Sequence, residues 1–141
     1  MKFWNLAGGS AVLAVSLAGG ASALTPEDVW ADWQSVSATW GQEISAGSER
    51  REGDALVLSQ VRILSDQPGT RVEGSIETIT FREMGDGTVE ITSSPAYPLT
   101  ITATPLAVEG EPAPQPTTVN LTLTQSGMVM TASGEPGNTR Y

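Results

Sequence analysis

Carboxylates are the main residue type with which this chain could perform acid–base or metal chemistry. The 141 residues contain no histidine and no cysteine, and Lys2 is the only lysine. Ser-His-Asp and Cys-His catalysis, zinc binding by Cys and His, and Schiff-base chemistry each require one of these side chains. A phosphate-binding loop of the Gly-rich type also needs its lysine. We therefore expect no enzyme activity, no catalytic or metal-binding residue and no cofactor.

Two acidic segments come closest to a chemical motif. Asp86-Gly-Thr88 contains the residue types of an aspartic-protease signature, but in a different order, and Asp-Gly is favoured by hairpin turns for backbone reasons alone. The segment Glu49–Asp54 has oxygen ligands that suit calcium, yet it lacks the spacing of a calcium-binding loop. We interpret it as a solvated charged turn, partly neutralised by Arg50 and Arg51. No acid lies in the apolar context that a glycosidase pair needs.

The segment from Thr25 to Gly41 predicts an amphipathic helix and carries three of the four tryptophans. Thr25 can cap its first turn, Pro26 suits the first helical position, and Asp28 completes a capping box. Gly41 supplies the left-handed residue that commonly follows a helix. The predicted apolar face consists of Val29, Trp30, Trp33, Val36 and Trp40.

The apolar face of this helix has two interpretations. A stripe at helical spacing usually packs into the protein core. The alternative is that the face lines or closes an apolar groove for a lipid-like ligand or a protein partner. The sequence leaves both open.

After Gly41 the hydrophobic period changes to two, which is typical of half-buried strands. Tight turns between consecutive strands predict an antiparallel meandering sheet on which the Trp-rich helix packs, an α+β fold. A change of parity between Leu58 and Val61 predicts a bulge near Ser59-Gln60. The predicted strands are Glu43–Ser48, Ala55–Leu64, Arg71–Met84, a return strand from Val89, Tyr97–Ala103, Val119–Leu123 and a last one through Met128 and Met130.

The N-terminal segment Met1–Ala23 reads as a signal peptide. It has a positive start at Lys2, a short apolar run and small residues before the cleavage position. Its removal would leave six arginines and 16 acids, a net charge of 6 − 16 = −10. We therefore expect a periplasmic protein, and we expect neither nucleic acid nor an anionic membrane surface as a partner.

We expect residues 24–141 to form one α+β domain. The last residues, Gly134–Tyr141, predict a turn, which leads either into a polar chain end or into a strand that starts at Arg140-Tyr141 and continues outside this sequence. A hairpin ending there would leave an open sheet edge. This favours the interpretation that the domain is the N-terminal part of a longer one.

Four segments resemble an uncharacterised family of secreted bacterial proteins, catalogued as domain of unknown function 2125. They are Leu24–Gln34, with its Val-Trp-Ala-Asp-Trp-Gln piece, Gly53–Leu56, Gly85–Ile91 and Tyr97–Thr100. The resemblance implies a longer protein and supplies no catalytic residues. The predicted order of elements is also distantly similar to the AsmA-type envelope proteins of Gram-negative bacteria, which are linked to lipid transport.

These observations favour a non-enzymatic envelope protein that binds an apolar or lipid-like ligand. One alternative is a carboxylate-dependent hydrolase whose remaining residues lie in a missing C-terminal part. Another is a module that binds an envelope protein. The leading hypothesis predicts lipid or an envelope protein as partner.

The helix prediction can be tested with Trp33→Ala. If this indole is part of the core, we expect the substitution to lower the free energy of unfolding by about 3–5 kcal/mol, because the cavity left behind adds to the lost burial. Chemical denaturation measures the change. An unchanged unfolding midpoint would contradict the core interpretation and favour a face reserved for a ligand.

Overall fold

The computed structural model describes residues 22–141, so the predicted signal peptide lies outside them except for its last two residues. The predicted helix is confirmed as α1, Pro26–Thr39. Its capping box is present: Asp28 N–H donates to Thr25 Oγ1 over 3.2 Å, and Thr25 N–H donates to Asp28 Oδ2 over 2.9 Å. Gly41 follows the helix with φ of +69°, as predicted.

The rest of the described chain is one antiparallel sheet, which confirms the α+β class. Its eight strands are β1 Gln42–Glu52, β2 Ala55–Gln67, β3 Thr70–Glu83, β4 Val89–Ser93, β5 Ala96–Ala103, β6 Thr117–Thr124, β7 Met130–Glu135 and β8 Asn138–Arg140. Among residues 22–141, no helix is both long enough and apolar enough to span a membrane.

The strand order departs from a simple meander after β4. The long strand β3 pairs with β4 along Ile79–Glu83 and with β5 along Thr70–Gly74. Strand structure is interrupted at Ser94-Pro95, where the chain passes from one half of β3 to the other. The sheet therefore forks into two branches, which we name the β4 arm (β4, β7 and β8) and the β5 arm (β5 and β6).

Two local predictions are wrong. The segment Glu49–Glu52 belongs to β1, so the turn before β2 is confined to Gly53-Asp54. The turn predicted over Gly134–Tyr141 is confined to Pro136-Gly137, because Gly134 and Glu135 end β7 and β8 pairs with β7 in an antiparallel hairpin. In both cases hairpin pairing with the neighbouring strand extends the strand beyond its apolar residues, which are the only part that periodicity detects.

The predicted bulge near Ser59-Gln60 is a different distortion. Gln60 has φ of +52°, but the register of β2 against β1 and β3 is unchanged across it, so no residue is inserted. Side chains of residues paired across strands point to the same face of a sheet. The apolar side chains of all three strands therefore switch from odd to even positions, or the reverse, at the same level. That level contains Gly47, Gln60 and Glu77.

The core lies between α1 and the half of the sheet that joins the β4 arm. Phe81 is fully buried at its centre, with its ring centroid 6.3 Å from that of Trp30 and 5.2 Å from that of Trp33. The buried residues of this core are Leu24, Val29, Trp30, Leu56, Leu58, Val61, Ile79, Phe81, Val89, Ile91 and Ala132.

Glu49 provides the polar partner that a buried tryptophan needs. Trp30 is 4% exposed, and its Nε1–H donates to Glu49 Oε1 over 2.8 Å. We expect Glu49→Ala to lower the free energy of unfolding by about 1–3 kcal/mol, because the N–H of the buried Trp30 loses its charged acceptor. Chemical denaturation measures this loss.

Two variants act as controls for the Glu49 prediction. Glu49→Gln retains an acceptor oxygen and should recover most of the stability. Glu52→Ala removes only an exposed ion pair with Arg50 and should cost less than about 1 kcal/mol. Equal losses in the Ala variants at positions 49 and 52 would contradict the assigned role of Glu49.

Candidate apolar site beside the tryptophan helix

The structure divides the predicted apolar face of α1. Val29 is fully buried, Trp30 is buried and Trp33 is half-buried against the core. In contrast, Val36 is 48% exposed and Trp40 is 73% exposed. The stripe as a whole therefore does not pack as one core face, because the sheet extends under the first turns of the helix and leaves the last turn uncovered.

Trp33 lines an apolar cavity of about 210 Å³ at the point where the sheet forks. The cavity lies between the helix, β3 and the residues that lead into the two arms. Its walls are mostly aliphatic, aromatic and thioether groups. The lining residues are Trp33, Ile76, Ile79, Ile91, Thr92, Ser93, Tyr97, Met128 and Met130.

The polar groups of this cavity are uncharged hydroxyls. The hydroxyls of Ser93 and Tyr97 are hydrogen-bonded to each other. Gln125 donates from Nε2 to the carbonyl oxygen of Ser93 over 3.3 Å, which ties β4 to the chain after β6. Among residues 22–141, no carboxylate, lysine or arginine lines the cavity. The arrangement suits an apolar chain and offers no general acid or base except the phenol of Tyr97.

The apolar surface continues from the cavity onto the β5 arm. Tyr97, Leu99 and Ile101 pair with Leu123, Leu121 and Val119 of β6, respectively, and residues paired in this way lie on the same face. Ile101 pairs in turn with Val72 of β3. The three β6 side chains are between 45% and 54% exposed. α1 packs on β1, β2 and β3, so this apolar face has solvent contact beyond the helix.

Larger depressions on the sheet are lined in part by charged side chains. One of about 460 Å³ is lined by residues such as Glu43, Arg62, Arg71 and Glu73. Arg71 donates from Nη1 to Asp66 and from Nη2 to Glu73, each over 3.1 Å, so its charge is already paired. Size alone would select a neighbouring depression of about 530 Å³, but Arg62 and Glu77 line that one. The charged side chains in both depressions leave little capacity for an apolar ligand. The smaller cavity beside Trp33 is the better candidate.

The acidic candidates from the sequence have structural roles. Asp86 Oδ1 accepts hydrogen bonds from the hydroxyl and the N–H of Thr88 within the turn, and these bonds hold the pKa of Asp86 below its usual value. Arg51 donates to Glu27 of the helix and to Glu83 of β3. Within residues 22–141, no cluster of acids has the geometry of a metal site.

Sequence reasoning missed a contact between the helix and the last residue. The Tyr141 hydroxyl donates to Asp32 Oδ2 over 2.6 Å, and the ring centroid of Tyr141 lies 6.4 Å from that of Trp33. Burial is the main cause that raises the pKa of Tyr141 above its ordinary value, and the hydrogen bond to Asp32 is the second. No local signal predicts a contact that spans 109 residues.

Comparison of the chain with protein-family models, curated proteins and solved structures gives no match. The resemblance to the secreted family therefore stays a prediction.

Proposed function

We propose that this protein is a non-enzymatic, periplasmic binding protein for an apolar or lipid-like ligand in cell-envelope maintenance. The observation that carries the proposal is the apolar surface that runs without a charged residue from the cavity at Trp33 onto β6. A solvent-facing apolar surface of this kind is typical of a ligand or partner site.

The cavity is smaller than the roughly 300–1,000 Å³ of a pocket that encloses a whole ligand. We therefore propose that it takes one end of an acyl chain while the rest lies along the face of the β5 arm. Each methylene removed from water there would contribute about 0.8 kcal/mol. Binding would at the same time bury the half-exposed side chains of Val119, Leu121 and Leu123.

The charge distribution favours a ligand without a strongly anionic head group. From Ile91 to Gly134 the charged residues are Glu109 and Glu111, with no arginine or lysine. Arg71 of β3 pairs with Thr102 of β5, but its guanidinium already binds Asp66 and Glu73, so an anionic head group would have to compete for it. The ligand class that fits best is therefore a neutral or zwitterionic amphiphile.

A hydrolytic function has less support from the described residues. The acids Glu27, Asp66, Glu73 and Glu83 take part in exposed ion pairs. A catalytic carboxylate instead needs an apolar or paired-acid environment that raises its pKa. The hydrolase alternative would depend on residues outside this sequence.

Quenching of tryptophan fluorescence tests the proposed function. A long-chain alcohol brominated near the end of its chain should quench the purified protein saturably, because bromine quenches an indole only on close approach. Trp33→Phe should remove most of the quenching, since Trp33 lines the cavity. Trp40→Phe should retain it, because Trp40 is 73% exposed and does not line the cavity.

Circular dichroism of both variants confirms that each is folded before titration. Quenching that does not saturate, or that is lost in the Trp40→Phe variant and kept in the Trp33→Phe variant, would contradict the proposed site.

A further inference from the structure

Strand β6, Thr117–Thr124, is an open edge of the sheet that the described residues form. It pairs with β5 on one side, and all of its residues are exposed. The sequence TTVNLTLT contains no charge, no proline and no glycine. Natural proteins usually protect such edges with charges, prolines, bulges or very short strands, because an unpaired edge is a template for another strand.

The other edges of this sheet carry such protection. β1 contains the five charged residues Glu43, Glu49, Arg50, Arg51 and Glu52. β8 has only three residues and ends in Arg140. The lack of protection is therefore specific to β6, and we take it as evidence that this edge is covered in the working protein.

The direction of the free backbone groups on β6 follows from its pairing with β5. Gln125 N–H donates to the carbonyl oxygen of Pro95 over 2.8 Å, which continues the β5–β6 register to this pair. Hydrogen-bonded and non-hydrogen-bonded pairs alternate along an antiparallel ladder. The odd-numbered residues of β6 therefore direct their backbone groups toward β5. The even-numbered residues, Thr118, Asn120, Thr122 and Thr124, direct theirs toward the open edge.

The sequence of β6 is self-complementary about Leu121. In an antiparallel pair of two β6 strands centred on this residue, Val119 lies opposite Leu123, and Asn120 lies opposite Thr122. Thr118 lies opposite Thr124 in the same arrangement, so apolar residues meet apolar ones and polar residues meet polar ones. Such cross-strand pairs stabilise a sheet, and no like charges oppose each other.

We infer that β6 pairs with β6 of a second copy of this chain, antiparallel and with a two-fold axis through Leu121. The outward groups of Thr118, Asn120, Thr122 and Thr124 would then form about eight backbone hydrogen bonds between the copies. Leu121 would lie directly opposite its equivalent on the apolar face. The two β5 arms would form one continuous sheet whose apolar faces are joined.

A single cysteine at position 121 tests this register, because the chain contains no other cysteine. In a non-hydrogen-bonded antiparallel pair the two Cα atoms lie about 4.5 Å apart, within the range of a disulfide, about 4.4–6.8 Å. Leu121→Cys should therefore give a covalent dimer under mild oxidation. The matched control is Val119→Cys. In the proposed register, position 119 of one copy lies opposite position 123 of the other, four residues from position 119 of that copy, so the two cysteines would be about 14 Å apart along the strand.

The expected result has two parts. The purified wild-type protein should sediment with twice the mass of one chain, and the Leu121→Cys variant should crosslink at least about tenfold faster than the control. A single-chain mass at all concentrations, together with equal crosslinking rates, would overturn the inference. Faster crosslinking of the Val119→Cys variant would also overturn it, since another register would then be present.

A proline substitution at position 122 separates the interface from folding of the single chain. Thr122→Pro removes an N–H that faces the open edge, while the ladder with β5 keeps its hydrogen bonds. We expect this variant to fold but to have the mass of one chain. Thr122→Val keeps the N–H and should remain dimeric. A folded Thr122→Pro variant that is still dimeric would contradict pairing through β6.

Discussion

The three long strands share one register, and this constraint determines which surfaces of the protein are apolar. Because β1, β2 and β3 pair without an inserted residue, no strand can exchange faces alone. All three do so at the level of Gln60, which has a left-handed backbone. Gly47 makes this possible, since a Cβ atom there would lie only 3.0 Å from two side-chain atoms of Gln60. Leu58 and Val61 therefore both point to the helix side and both are fully buried.

This shared change of face lets one apolar surface extend beyond the helix. Near Phe81 the surface is covered by α1 and forms the core. Beyond the level of Gln60 the same side of the sheet continues through Ile76 to Leu99 and Leu121, where no element of the described chain forms a second layer. The break at Ser94-Pro95 separates the two arms and opens the cavity between them. The proposed ligand and the proposed second copy would act on this same uncovered branch, one on its face and the other on its edge.

The local elements were predictable from sequence, whereas the pairing of distant elements was not. Thr25, Asp28 and Gly41 identify the ends of α1 because capping depends on adjacent residues. Helical spacing groups Val36 and Trp40 with the buried side chains, yet it carries no information on how far the sheet extends along the helix axis. Exposure at the last turn therefore had no sequence signal.

The same distinction applies to the candidate site. Alternation within β5 and β6 predicted an apolar face, and the structure places that face beside Trp33. β5 pairs with β3 and not with the preceding strand β4. This choice depends on contacts between distant residues, which periodicity does not report. The hydrogen bond between Trp30 and Glu49 is of the same kind, and the sequence alone therefore predicts a solvated turn at Glu49.

Mass spectrometry of lipid extracted from the purified full-length protein tests the central claim most directly. If the apolar face holds an acyl chain, denaturation of protein prepared from cell envelope should release a neutral or zwitterionic lipid in a reproducible ratio to protein. Removal of that lipid should also lower the unfolding temperature, because a ligand that binds only the folded state stabilises it. A preparation with no lipid signal, whose stability is unchanged by delipidation, would contradict the account.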